Sequence, residues 1–438
     1  MKKSPPARMS LARGLYSGLL CLLTPWAQRR LAKEKVNAFS AYQRRGEVSP
    51  SERPVIWAHC ASVGEVLAAE PFLKALLLRY PRHQLVVTTM TATGAAQVRA
   101  RLPDARHYLL PLDLPWYAER FIDTLQPEAG VVFETELWPN LLASCRRRRI
   151  PLLLANARLS ASAMRGYRKI RPLVKEALSA FSLITAKAEE DAARLLALGA
   201  EKDRLQVTGS IKYDLQLPED LPAQASAWRA ALGDRRVWIA ASTHQGEDQP
   251  LLAAHQQLLA QDPSCLLLLV PRHPQRFDQV AELIAQQGLS SVRRSSQQPV
   301  TPETQVYLVD TLGELLFFYA VADLAVVAGS FADIGGHNLL EPAAVGTPVI
   351  SGPVLHNFAE IAAALTEVNG RVEVDSASAL PAVLAGLWAD PAACQRQAEA
   401  ARQVVLANQG ALARQLEAFA HLLPPETSEE REAISPCS

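Results

Sequence analysis

A chain of 438 residues exceeds what one hydrophobic core usually organises, and a hydrophobic fraction of 49% supplies apolar surface enough for two. With 45 basic against 44 acidic side chains, the net charge of +1 excludes a globally polybasic nucleic-acid binder. The six cysteines (Cys21, Cys60, Cys145, Cys265, Cys394 and Cys437) stand far apart with no Cys-x-x-Cys pair, which speaks against a disulfide framework or zinc site and fits a reducing compartment.

The first tenth of the chain is crowded with Lys and Arg around an apolar run, Gly14 to Ala27. That run is short of the ~20 residues a full membrane span needs. Basic-then-apolar is also the layout of a secretory signal, but Gln28-Arg29-Arg30 follows instead of a small-x-small cleavage site. The expectation for residues 1–34 is an uncleaved anchor, shallow or marginally spanning, with Trp26 and the arginines at headgroup level. The body of the protein is expected in the cytosol.

From Pro54 onward, short apolar runs alternate with longer amphipathic ones. Strands are predicted at 54–59, 84–89, 108–111, 129–133, 151–155, 181–185 and 205–208, with helices between them. A second set of strands is predicted at 237–241, 265–270, 305–309, 324–328 and 348–350. Alternation of this kind implies parallel sheets covered on both faces, hence an α/β fold in two domains, 35–214 and 215–400. Leu215 to Pro222 reads as a linker, 401–423 as a C-terminal helix returning to the first domain, and 424–438 as a disordered tail.

Polar motifs fall at strand ends, where open α/β sheets bind ligands, and the expected site lies between the two domains. Glu65, in Ser62-Val-Gly-Glu65 after the first strand, is a candidate general base at the start of a helix. Glu134 and Glu136 stand two apart after a buried strand. If the strand continued they would face opposite ways, and Glu136, beside Trp138, is the one expected in the site. Lys212, at the domain junction, suits neutralisation of a leaving phosphate. In the second domain Arg272, after Pro271, offers a planar fork for phosphate or base carbonyl recognition. Gly313-Glu314-Leu315 opens a helix and presents backbone groups suited to a nucleobase. Gly335-Gly336 permits close approach of backbone to ligand. Asn338, opening a helix, and Glu341, one turn on, suit a phosphate and a pair of vicinal hydroxyls across Asn338-Leu339-Leu340-Glu341. His244, His273 and His337 lack the short spacings of a metal site, so no metal is expected.

Taken together, these motifs resemble the 3-deoxy-D-manno-octulosonic acid (Kdo) transferases of lipopolysaccharide synthesis. The stretches that carry the resemblance are Ser62–Glu65, Glu134–Asn140, Asn156–Ser160, Gly209–Asp214, Ser242–Glu247, Pro271–Pro274 and Gly335–Pro342, in family order. The resemblance implies a GT-B fold: two Rossmann-like domains, the first binding acceptor and the second the donor, CMP-Kdo. It implies metal-independent, inverting transfer, without a cofactor, to the anionic tetra-acylated lipid A precursor at the cytoplasmic face of the inner membrane. Glu65 would take the acceptor proton, while Glu136 and Lys212 would stabilise the transition state. Pro271, Arg272, Gly313 to Leu315 and Asn338 to Glu341 would hold CMP. Two departures stand out: Arg44-Arg45-Gly46-Glu47 lacks the tryptophan common at its second position, and Ala186-Lys187 replaces Ala-Gln. The alternatives are another GT-B enzyme, either a UDP-sugar transferase or a sugar-nucleotide epimerase, or a non-catalytic, membrane-attached sugar-binding protein.

Overall fold

The computed structural model describes residues 9–31 and 36–425. Strands β1 (Val55–His59), β2 (Gln84–Thr89), β3 (Arg106–Leu109), β4 (Pro127–Phe133), β5 (Leu152–Ala157), β6 (Leu183–Ala186) and β7 (Leu205–Val207) form one parallel sheet in the order β3-β2-β1-β4-β5-β6-β7. Strands β8 (Val237–Thr243), β9 (Leu266–Pro271), β10 (Ser291–Arg293), β11 (Val306–Leu308), β12 (Leu324–Val327), β13 (Val349–Ser351) and β14 (Arg371–Glu373) form a second, ordered β10-β11-β9-β8-β12-β13-β14. The central strands are unbroken apolar runs because helices cover both faces of each sheet. The edge strands β10 and β14, three residues each and rich in polar side chains, escape the sequence pattern.

The chain divides into two compact units. The first comprises residues up to Asp214 together with those from Gln409, and the second runs from Leu215 to Asn408. The expected return at 401 is therefore displaced to 409. Helix Pro391–Asn408 stays with the second unit, and Gly410, at φ +87°, ends it before helix Ala411–Leu422 begins. That last helix packs on the first sheet, with Phe419 against Phe72 and Tyr80 at ring separations of 6.1 and 5.8 Å. Its open end is capped by Asp214, whose carboxylate accepts N–H bonds from Gly410 (2.5 Å) and Leu412 (2.6 Å).

The linker expected at 215–222 runs into a helix, Leu221–Ala231, with Leu221 buried. Pro222 stands at its first turn, where the ring starts a helix instead of breaking one. Of the N-terminal segment, Leu11–Leu31 is helical through Pro25. Among the described residues no single helix is long and apolar enough to cross a membrane. The expected tail from 426 onward lies outside the described residues.

Candidate active site

In each sheet the connections depart in opposite directions from two adjacent strands, and such a switch point opens a crevice at the strands' carboxyl ends. In the first unit the switch falls between β1 and β4, the strands that lead into Glu65 and into Glu134–Glu136. Helix Val63–Arg79 starts there with Ser62 as its cap, and the Ser62 hydroxyl accepts from the Glu65 N–H at 3.3 Å. The Glu65 carboxylate folds back over the same turn. It accepts the Ala61 N–H at 2.7 Å and the Ser62 hydroxyl at 2.9 Å, a reciprocal arrangement like a capping box. Burial pushes the Glu65 carboxyl up to about 7; the two donors oppose the rise, and the neighbouring Glu136 and Glu134 add to it.

Glu134 does not continue the strand. Its φ of +57° turns the chain out of β4 at once, so alternation no longer sorts Glu134 and Glu136 to opposite faces. Both carboxylates act on Glu65 through their charge. Lys187 sits against Glu134, Nζ to Oε1 3.9 Å, with its side chain almost wholly buried. Burial also raises the Glu136 carboxyl, with Trp138 working against the shift and Glu134 with it. At the end of β1, His59 is fully buried, its Nδ1 bonded to the Thr88 carbonyl at 3.1 Å, and desolvation drops it to about 4, so the imidazole is neutral. Its ring meets Trp138 edge-on at 6.4 Å.

Lys212 lies half-buried in the short turn Ile211–Tyr213, which packs against helix Val63–Arg79. The turn is tied to the end of β5 by Asn156, another left-handed residue (φ +54°), which accepts the Ile211 N–H at 3.4 Å. Ser160 caps helix Ala161–Lys169. Four consecutive arginines, Arg146 to Arg149, form a paired helix end: Arg147 holds Glu119 at 2.7 Å and Arg146 holds Ser179 at 2.7 Å. Arg44 and Gly46 also have structural work. Arg44 donates to the carbonyls of Leu110 (2.9 Å) and Met90 (2.6 Å), while a side chain at Gly46 would run into the Tyr117 backbone.

In the second unit the switch falls between β8 and β12. Ser242, at φ +61°, makes a bulge in β8, and the Arg272 N–H donates to the Thr243 carbonyl at 3.0 Å, binding the end of β9 to that of β8. After β12 the chain passes Gly335 (φ +96°) and Gly336 (φ +78°), where a side chain would meet His356, Asn357 and Leu355. The expected helix at Asn338 begins two residues later, as Leu340–Val345, and its six residues are too few for a strong dipole. Asn338 instead makes an Asx turn, accepting the Leu340 N–H at 3.1 Å, and donates to Glu341 at 3.1 Å. Burial raises the Glu341 carboxyl against the pull of Asn338 and the charge of Arg272. Leu339 and Leu340 are buried beneath them. Gly313, at φ +86°, precedes helix Leu315–Val321, which packs on helix Leu340–Val345. The Glu314 side chain is occupied by Arg294 at 2.7 Å and by the Thr311 hydroxyl, so what this segment offers a ligand is backbone.

The three distant histidines do converge: His244 and His337 share a 2.8 Å contact between their Nε2 atoms, and His273 lies edge-on to His244 at 5.1 Å. Among the described residues no group of three or more His, Cys, Asp or Glu is arranged to hold a metal ion. Sequence reasoning missed Glu247. This buried carboxylate accepts N–H bonds from His244 (2.9 Å), Gly329 (2.8 Å) and Phe331 (3.1 Å), clamping the ends of β8 and β12 together. The signal was its place in the Ser242–Glu247 motif; two of its partners, Gly329 and Phe331, lie more than 80 residues on and were not visible.

Two parallel α/β units with ligand-type motifs at their switch points are the mark of a GT-B protein. The fold agrees with that of UDP-GlcNAc 2-epimerase from Neisseria meningitidis bound to UDP-GlcNAc, at a TM-score of 0.51 over 84% of this chain and 100% of that one, with 11% identity. A family profile described as 3-Deoxy-D-manno-octulosonic-acid transferase (kdotransferase) matches residues 33–215. The 3-deoxy-D-manno-octulosonic acid transferase of Haemophilus influenzae is 42% identical over 92% of this chain and 93% of its own. That of Bordetella pertussis is 39% identical over 93% of this chain and 99% of its own. The chain belongs to the Kdo transferase family and is a glycosyltransferase.

Proposed function

We propose that the protein transfers Kdo from CMP-Kdo to a hydroxyl of the anionic, tetra-acylated lipid A precursor, with inversion and without a metal. The acceptor oxygen attacks the anomeric carbon as the bond to the CMP phosphate breaks, and Glu65 takes the acceptor proton. Glu136 and Lys212 stabilise the charge that builds up on the way. Pro271, Arg272, Gly313 to Leu315 and Asn338 to Glu341 hold the nucleotide, with Arg272 on phosphate or base and Glu341 on the ribose hydroxyls.

The observation that carries this reading is the state of Glu65. It is a half-buried carboxyl at a switch point, fixed by two donors and held near 7, where a base can both accept and release a proton at physiological pH. Helix Leu11–Leu31 supports attachment to the inner-membrane surface, with the catalytic units on the cytoplasmic side. One face docks on the first unit through Arg13, Tyr16 and Ser17. Leu11, Leu15, Leu19 and Leu22 on the other are 57–81% exposed. A helix bound sideways in this way lies along a bilayer instead of crossing it. Helix Ala161–Lys169, with no buried residue and with Arg165, Arg168 and Lys169 exposed, suits an acceptor bearing phosphates.

Mass spectrometry of lipid incubated with the protein and CMP-Kdo, with UDP-sugars as parallel donors, tests this reading. The expected product gains Kdo from CMP-Kdo alone. Transfer from a UDP-sugar in its place would refute the donor assignment.

A further inference from the structure

Helix Pro139–Arg147 starts three residues beyond Glu136 and has no cap of its own. Trp138 stands at the cap position, where its indole cannot accept a hydrogen bond from the turn, and Pro139 follows. The open N–H groups are satisfied from elsewhere in the chain. Asp113 Oδ2 accepts the Asn140 N–H at 3.0 Å, and Oδ1 accepts the Leu141 N–H at 2.8 Å. The Asn140 side chain adds a bond to the Asp113 carbonyl at 2.7 Å.

Asp113 is 4% exposed, so its carboxylate depends on these donors, and a further one comes from the N-terminal helix. The Tyr16 hydroxyl donates to Asp113 Oδ2 at 3.0 Å, and one turn-neighbour away Ser17 meets the Asn140 amide at 3.0–3.1 Å. Burial pushes the Asp113 carboxyl up to about 7 in spite of all these donors, with Arg13 also opposing the rise. The outer face of the same helix carries the exposed leucine stripe.

We infer that Tyr16 and Asp113 are positioning residues for Glu136: the N-terminal helix holds a buried carboxylate that caps helix Pro139–Arg147 in trans and thereby fixes the Glu136–Trp138 segment at the switch point. The inference rests on the role proposed for Glu136. Between the leucine stripe and Glu136 lie one tyrosine, one aspartate and a single helical turn. Loosening the helix therefore alters turnover before it alters nucleotide binding, which belongs to residues of the other unit.

Tyr16→Phe removes one hydroxyl and keeps the ring, so the test uses this variant of the full-length protein, alone and combined with Glu136→Gln. Expected in Tyr16→Phe are a kcat about fivefold to tenfold lower, a KM for CMP-Kdo within about twofold, and faster hydrogen exchange in the peptide spanning 138–142. In the Glu136→Gln background the Tyr16→Phe effect on residual turnover should vanish, because a positioning residue acts only through what it positions. Asp113→Asn, which keeps the side-chain shape, should reproduce the exchange change. An unchanged kcat with unchanged exchange overturns the inference and leaves Glu136's role standing. Equal losses from Tyr16→Phe in both backgrounds overturn it too. Full activity of Glu136→Gln by itself refutes the role of Glu136, and the inference with it.

Discussion

Replacing Ser62 with alanine removes two contacts at once: the hydroxyl that donates to Glu65 Oε1 at 2.9 Å and the oxygen that accepts the Glu65 N–H. The first contact favours the ionised carboxylate, so its loss sends the Glu65 pKa above its present value of about 7. Hydrogen bonds to charged groups contribute ~1.5–3 kcal/mol, and water entering the vacated space recovers part of that. The expected rise is therefore about one pH unit, or ~1.4 kcal/mol. The second contact is a helix cap worth ~1 kcal/mol, which is a drop of a few degrees in Tm for a unit of this size. The assay is kcat/KM for Kdo transfer across pH ~5.5 to ~9. A general base must be unprotonated, so wild-type activity should fall about tenfold per pH unit below ~7 and level off above it. In Ser62→Ala the whole acidic limb should move to higher pH, with the plateau reached later. An acidic limb in the wild type near the ordinary carboxylate range would refute the reasoning, as would a limb that Ser62→Ala leaves in place.

The raised carboxyl also has a signature in stability. Because the folded state holds the Glu65 proton more tightly than the unfolded chain, its contribution is complete below the ordinary value of 4.5 and is lost as pH rises through about 7. Glu65→Gln should thus gain up to ~3 kcal/mol relative to wild type between those limits, read from denaturation at each pH. Asp214→Ala uncaps helix Ala411–Leu422 and should cost ~1–2 kcal/mol, with faster proteolysis near Gln409. Glu247→Gln replaces an acceptor of three N–H bonds by an amide with a single acceptor oxygen, and CMP affinity by calorimetry should fall about tenfold. Leu15→Glu with Leu19→Glu should lower vesicle co-sedimentation about tenfold or more while leaving Tm unchanged, since both side chains are exposed.

Strands with buried, unbroken apolar runs, such as Leu152–Ala157 and Leu266–Pro271, were legible in the sequence because a parallel sheet covered on both faces demands them. Ser291–Arg293 and Arg371–Glu373 were not, since an edge strand of three residues needs no apolar pattern. The motifs were readable as residue types after strands. Their geometry was not, because it depends on backbone conformations that sequence does not advertise. Glu134, Asn156 and Ser242 all adopt a left-handed φ at strand ends, where a non-glycine residue costs ~1 kcal/mol or more and marks a site that the surrounding fold has fixed. Asp113, Asp214 and Glu247 were invisible for a further reason. Each is a carboxylate that accepts from main-chain N–H groups far along the chain. Pro222 shows the opposite error: placed at the end of a linker, it stands in the first turn of a helix.

The most direct test of the account compares Kdo transfer and CMP binding in one variant, Glu65→Gln, which keeps the side chain's shape and removes its basicity. Turnover should fall by about two to four orders of magnitude while the calorimetric affinity for CMP stays within about twofold. Transfer at the wild-type rate in Glu65→Gln would contradict the account.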